Sequence, residues 1–135
     1  MRITKKIIRE IIAHAKKEAP LEACGYLALK DGVITAFYAL TNIDQSGEHF
    51  SFDPKEQFMA VKDARSKGLE IRAVYHSHPA SPARPSQEDI NLAFDPGIIY
   101  FIVSLAGAKE EVKAFSIKNA KVVKIDLEVV DDQRI

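Results

Sequence analysis

Apolar residues recur at helical spacing along the first stretch of the chain. Ile7, Ile8, Ile11, Ile12 and Ala15 fall on one side, with Lys6, Arg9, Glu10 and Lys16 between them. That pattern predicts an amphipathic helix over roughly residues 4–18, stopped by Pro20. The period then shortens. Pro20-Leu21-Glu22-Ala23-Cys24-Gly25-Tyr26-Leu27-Ala28-Leu29 reads as a lip leading into a buried strand, Asp31-Gly32 as a tight hairpin turn, and Val33 to Leu40 as the return strand. Asn42 to His49 is polar and contains Gly47, so it predicts a loop, with a brief strand at Phe50-Ser51-Phe52. Asp53-Pro54-Lys55-Glu56 opens a second helix: Asp53 caps it, Pro54 takes the first helical position and Glu56 closes a capping box. Phe58, Val61 and Ala64 make its inner stripe, and Gly68 fits its C-terminal cap.

Glu70-Ile71-Arg72-Ala73-Val74-Tyr75 holds strand formers and no turn residue, so it predicts a strand running into His76 and His78. A third helix starts at Ser86, carries Ile90, Ala93 and Phe94 inward and ends at Pro96-Gly97. Ile98 to Val103 is apolar throughout, as a central strand covered on both faces would be. Val112 to Ile117 is a further strand, and Val123, Ile125, Leu127 and Val129 alternate with Lys124, Asp126 and Glu128 as one half-exposed strand. The sum is an α/β single domain over residues 1–135: a mixed sheet of about six strands with two or three flanking helices.

Composition narrows the partners. Nineteen basic and nineteen acidic side chains leave a net charge of +0, which gives no footing for nucleic acid or an anionic membrane. No apolar run reaches membrane-spanning length. Met1-Arg2-Ile3-Thr4-Lys5-Lys6 leads into the amphipathic pattern rather than a signal peptide. One cysteine, Cys24, excludes an intrachain disulfide, suits a reducing cytoplasm and reads as a small buried hydrophobe, with a reactive role as the alternative.

The chemistry concentrates in His76-Ser77-His78-Pro79-Ala80-Ser81-Pro82-Ala83-Arg84-Pro85-Ser86-Gln87-Glu88-Asp89. Side chains two apart on a strand leave the same face, so His76 and His78 can converge on one ion while Ser77 points away and is free to pack. Pro79, Pro82 and Pro85 stiffen the loop that follows. Ser86 is an N-cap, which makes Asp89 the third helical residue and aims its carboxylate back at the strand end. A catalytic zinc takes three protein ligands and keeps one position open; His76, His78 and Asp89 are read as those three. Each half alone has an ordinary reading, as strand-end histidines and as a capping box; their combination across one short rigid loop points to metal. Glu22, a carboxylate at the lip of an apolar strand, reads by itself as a solvated loop residue. His14 and His49 lack ligand-type spacing and read as packed or surface histidines, with a substrate contact as the alternative at His49.

Glu22, His76-x-His78, seven residues, then Ser86-x-x-Asp89 resembles the JAMM motif of the MPN/JAB metalloproteases. The order of elements and Glu22-Ala23-Cys24-Gly25 are similar to the compact bacterial and archaeal members. The resemblance implies a cytidine-deaminase-like α/β fold, one Zn²⁺ per chain on His76, His78 and Asp89, Glu22 as general base on the metal's water, and a Ser86 hydroxyl that steadies the tetrahedral intermediate. Independently, a base must lie within hydrogen-bond reach of the attacking water, and Glu22 is the isolated carboxylate best placed for it. A hydroxyl such as that of Ser86 can share a developing oxyanion.

The implied activity is a zinc peptidase or isopeptidase cutting after the C-terminal Gly-Gly tail of a ubiquitin-like or sulfur-carrier protein. The leaving group is then an amino acid such as cysteine, or a lysine isopeptide. The alternatives are a non-catalytic MPN-type scaffold and a zinc hydrolase of small peptides. The edge near Asn42–Phe52 is the expected docking surface; Arg84 reads as a solvated loop residue, with an anion contact as the alternative. The oligomeric state stays open, a homodimer included.

Overall fold

Thr4 starts the first helix by accepting a hydrogen bond from Ile7 N at 3.3 Å, and α1 runs Lys5–Glu18. Its apolar stripe does what the spacing asks: Ile7, Ile11 and Ala15 are buried against a core that includes Ile3, Leu27, Tyr75 and Phe101. Each isoleucine removed from water there contributes about 1.5–3 kcal/mol before entropic costs. His14 is a packed histidine, its Nδ1 lying 3.0 Å from the Tyr75 hydroxyl, and burial lowers its pKa.

The computed structural model describes residues 1–132, so 133–135 of the expected unit lie outside the described residues. The strands are β1 Arg2–Thr4, β2 Cys24–Lys30, β3 Val33–Leu40, β4 Glu70–His78, β5 Ile99–Ser104, β6 Glu111–Lys118, β7 Lys121–Ile125 and β8 Glu128–Val130. The other two helices are α2 Pro54–Ser66 and α3 Gln87–Asn91. All eight strands join one mixed sheet in the order β7-β6-β5-β4-β2-β3-β1-β8. The mixed α/β architecture is the expected one. Asp31 and Gly32 both take positive φ, 52° and 79°, as a two-residue hairpin whose twist matches its strands requires.

Five local expectations are corrected. The single strand read across Val123–Val129 is two strands, β7 and β8, at opposite ends of the sheet. Asp126 and Leu127 alone separate them, a span of at most about 11 Å, so the sheet curls back on itself. On α2, Phe58 is 67% exposed and the buried positions are Ala60 and Ala64; a seam of two alanines lets the helix lie close on the sheet, which turns Phe58 outward. Glu56 closes no capping box, because its carboxylate accepts from Thr41 N at 2.6 Å and Thr41 Oγ1 at 2.8 Å. Helix α3 ends at Asn91, well before Pro96, and Phe94 is 82% exposed rather than buried. The short strand read at Phe50–Phe52 is a single bridge between Asn42 and Phe52. No described helix is long and apolar enough to cross a membrane.

Candidate metal centre

Strand register builds the site. In the antiparallel pair β2–β4, Cys24 lies opposite His76 and Gly25 opposite Tyr75. Continuing that register past the start of β2 sets Ala23 opposite Ser77 and Glu22 opposite His78. The Ala23 step is closed by two hydrogen bonds: Ser77 N donates to Ala23 O at 2.9 Å, and Ala23 N donates to Ser77 Oγ at 2.7 Å. Residues directly opposite share a face of the sheet, so Glu22, Cys24, His76 and His78 project to one side. Ser77 projects to the other, but it is not free: it is fully buried and its hydroxyl is committed to Ala23.

His76 Nε2, His78 Nε2 and Asp89 Oδ2 form a small triangle. The two nitrogens are 3.0 Å apart, and the carboxylate oxygen lies 3.2 Å from His76 and 3.1 Å from His78. Ligands held tetrahedrally at about 2.0–2.2 Å from a metal are separated by roughly 3.3–3.5 Å, so the triangle fits an ion with little movement. His78 Nδ1 is 2.8 Å from Pro82 O. Donating a proton there leaves the Nε2 lone pair for the metal, the usual arrangement of a ligating imidazole. That carbonyl sits in a fixed loop: Ser104 Oγ donates to Ser81 O at 2.6 Å, and Ala83 is buried against Ile102 and Phe115. Arg84, next in the chain, is exposed.

Asp89 is the third residue of α3, and the capping box is complete: Asp89 N donates to Ser86 Oγ at 3.0 Å and Ser86 N to Asp89 Oδ2 at 2.9 Å. The capping and metal-binding readings therefore describe the same carboxylate, aimed by the cap. Burial pushes its pKa up, but the His76 and His78 imidazoles facing it outweigh that and hold it far below the usual carboxylate range. Glu22 is 4% exposed, and its Oε1 is buried without a hydrogen-bond partner. Burial raises its pKa to about 8, with His78 opposing and Asp89 and Glu88 adding to the rise. An orphaned buried carboxylate oxygen beside a histidine that could hold a metal suits a site that takes an ion and its solvent. Cys24, opposite His76 on the neighbouring strand, is fully buried, and burial pushes its thiol up to about 12, which makes it inert packing.

A groove of about 370 Å³ opens beside His76 and Asp89, walled mainly by Phe50, Phe52, Leu92, Phe94 and Tyr100. The Phe50 ring stacks on His76, centroids 4.8 Å apart and 26° from parallel. Phe94, misassigned to the core from sequence, is thus a groove residue. His49 belongs to the loop leading into this wall, with Nδ1 3.0 Å from Asp44 Oδ2. The sequence reading also missed Ser77 and Asn42 as structural parts of the site; a serine between two histidines was the only signal for the first.

The chain matches the family model described as prokaryotic homologs of the JAB domain over residues 4–118. It is 31% identical to the CysO-cysteine peptidase of Mycobacterium tuberculosis (strain ATCC 25618 / H37Rv), over 96% of this chain and 90% of that protein. It is 33% identical to the desampylase of Haloferax volcanii, over 72% of this chain and 75% of that protein. The solution structure of protein DSY2949 from Desulfitobacterium hafniense superimposes with a TM-score of 0.88 at 47% identity, covering 96% of this chain and 92% of that one.

Proposed function

The chain belongs to the prokaryotic JAB-domain family, and from that premise we propose that it is a zinc-dependent peptidase. Its substrate class is a ubiquitin-like or sulfur-carrier protein carrying an adduct on its C-terminal Gly-Gly tail. The reading is carried by one observation: three potential ligand atoms 3.0–3.2 Å apart, with the buried, unpartnered Glu22 carboxylate close enough for the charges of His78 and Asp89 to act on it. It is supported by the CysO-cysteine peptidase and desampylase similarities.

His76, His78 and Asp89 would hold the metal. When bound, Zn²⁺ lowers the pKa of water and polarises a carbonyl. Glu22 Oε1 takes a proton from the attacking water and delivers it to the leaving nitrogen as the C–N bond breaks. Ser86 Oγ is occupied as an acceptor by Asp89 N, yet a hydroxyl that accepts can still donate. Its proton faces the carbonyl oxygen as negative charge develops there. The apolar groove alongside excludes water from the tail, whose glycines allow the backbone close to the site.

The test is incubation of zinc-loaded protein with a sulfur carrier bearing one extra C-terminal amino acid, followed by intact-mass measurement. Loss of that one residue is expected. An unchanged carrier, across a panel of Gly-Gly proteins, would overturn the reading; cleavage of free peptides in the same preparation would instead identify a small-peptide hydrolase.

A further inference from the structure

The loop between β3 and α2 is built around one buried amide. Asn42 is 6% exposed. Its Nδ2 donates to Glu22 O at 3.0 Å, to His49 O at 3.0 Å and to Ser46 O at 3.3 Å. Its Oδ1 accepts from Asp44 N at 3.0 Å and Ser51 N at 3.3 Å. Ser46 O also accepts from Glu22 N at 2.8 Å. Both backbone polar groups of Glu22 are therefore gripped by this loop, its carbonyl through Asn42 and its N–H through Ser46. The loop also touches the chain just upstream, since a Cβ added to Gly47 would lie 2.6 Å from Pro20 O; only glycine permits that approach. At its far end the same loop supplies Phe50, Ser51 and Phe52 to the groove wall.

Glu22 Oε1 has no partner, so the placement of its carboxylate comes from its backbone. One side of that backbone is fixed by the strand, through the Ala23–Ser77 pair. The other is fixed by Asn42. We propose that Asn42 is a positioning residue, which makes the placement of Glu22 depend on the loop that lines the groove. A chain bound against Phe50 and Phe52 then bears, through one amide, on the group that moves the proton. The inference rests on Glu22 being the base. Misplacing such a group by about 1 Å costs on the order of 10²-fold in rate.

The experiment uses Asn42→Ala and Asn42→Asp, the latter keeping the acceptor and losing the donors. Each is made alone and combined with Glu22→Gln, and assayed as zinc-loaded protein on the carrier substrate. Amide hydrogen exchange at Glu22, followed by NMR in metal-free protein, is the second readout. The expected result is a fall in kcat of about 10- to 100-fold at unchanged zinc content, with no further fall in the Glu22→Gln background. Exchange at Glu22 should quicken at least tenfold while the α1 amides stay as they were. A loss that multiplies with Glu22→Gln, or unaltered exchange at Glu22, would overturn the proposal. If the wild type cleaves no carrier, the peptidase reading fails separately, and the exchange measurement still decides whether Asn42 holds in place the loop whose Ser46 carbonyl accepts from Glu22 N.

Discussion

Ala23 and Ser77 hold each other by two hydrogen bonds, one backbone to backbone at 2.9 Å and one from the Ala23 amide to the Ser77 hydroxyl at 2.7 Å. The contact fastens the residue between the two histidines to the neighbour of Glu22. The two histidines proposed as metal ligands and the proposed base are thereby tied together at one joint.

Ser77→Ala leaves the Ala23 N–H buried and unsatisfied. The expected loss is about 1–3 kcal/mol of folding stability, read from the urea midpoint. Ser77→Thr keeps a hydroxyl at the same point and should lose less. An Ser77→Ala protein as stable as the wild type would show that the joint contributes nothing.

Glu22→Gln should retain zinc and lose turnover by about 10²–10⁴-fold, the range of general acid–base contributions. It also carries a pH signature in the metal-free protein. Burial raises the Glu22 pKa from 4.5 to about 8. A raised folded value means that the folded chain binds the proton more tightly than the unfolded one. The stabilising contribution is therefore full below about pH 4.5 and is lost as pH rises through about 8. Wild-type stability minus that of Glu22→Gln should fall across this window in urea titrations. A flat difference contradicts the assignment.

Asp89→Asn separates two jobs of one side chain. The amide oxygen can still accept from Ser86 N, so α3 should keep its cap, while the charge that faces the histidines is gone. Zinc affinity, measured by chelator competition, should fall by more than the roughly 10–100-fold that outer-shell changes cost. The rise in Tm that zinc gives the wild type by mass action should shrink accordingly. Equal zinc affinity in the variant would remove Asp89 from the ligand set.

Cys24 should be silent. It is fully buried with its thiol raised to about 12, so a thiol reagent should label the native protein slowly and one equivalent after unfolding. Rapid native labelling would mean that the packing of Cys24 against Leu40 and Ala60 is open.

What the sequence disclosed was local. His76-x-His78 gives one strand face, Ser86-x-x-Asp89 gives a cap, and Asp31-Gly32 gives a turn; each depends on a few neighbouring residues. Val33–Leu40 came out with its observed bounds because turn signals flank it. The misreadings needed distant information. The alternation over residues 123–129 looks the same whether one strand or two carry it; pairing with β6 at one end and β1 at the other decides. Phe58 and Phe94 are apolar at helical positions, yet Ala60 and Ala64 take the helix–sheet seam, and α3 stops before it reaches Phe94. By sequence Ser77 reads as free to pack and Asn42 as the start of a polar loop at the expected docking edge. Their roles appear only once the backbone groups they bind, Ala23 N and Glu22 O, are known to be near.

Anomalous scattering from a zinc-loaded crystal, collected on both sides of the zinc edge, tests the central claim most directly. A single peak about 2.0–2.2 Å from His76 Nε2, His78 Nε2 and an Asp89 carboxylate oxygen, with Glu22 facing its open side, is the predicted result. A peak bound elsewhere, or none at these three side chains, would contradict it.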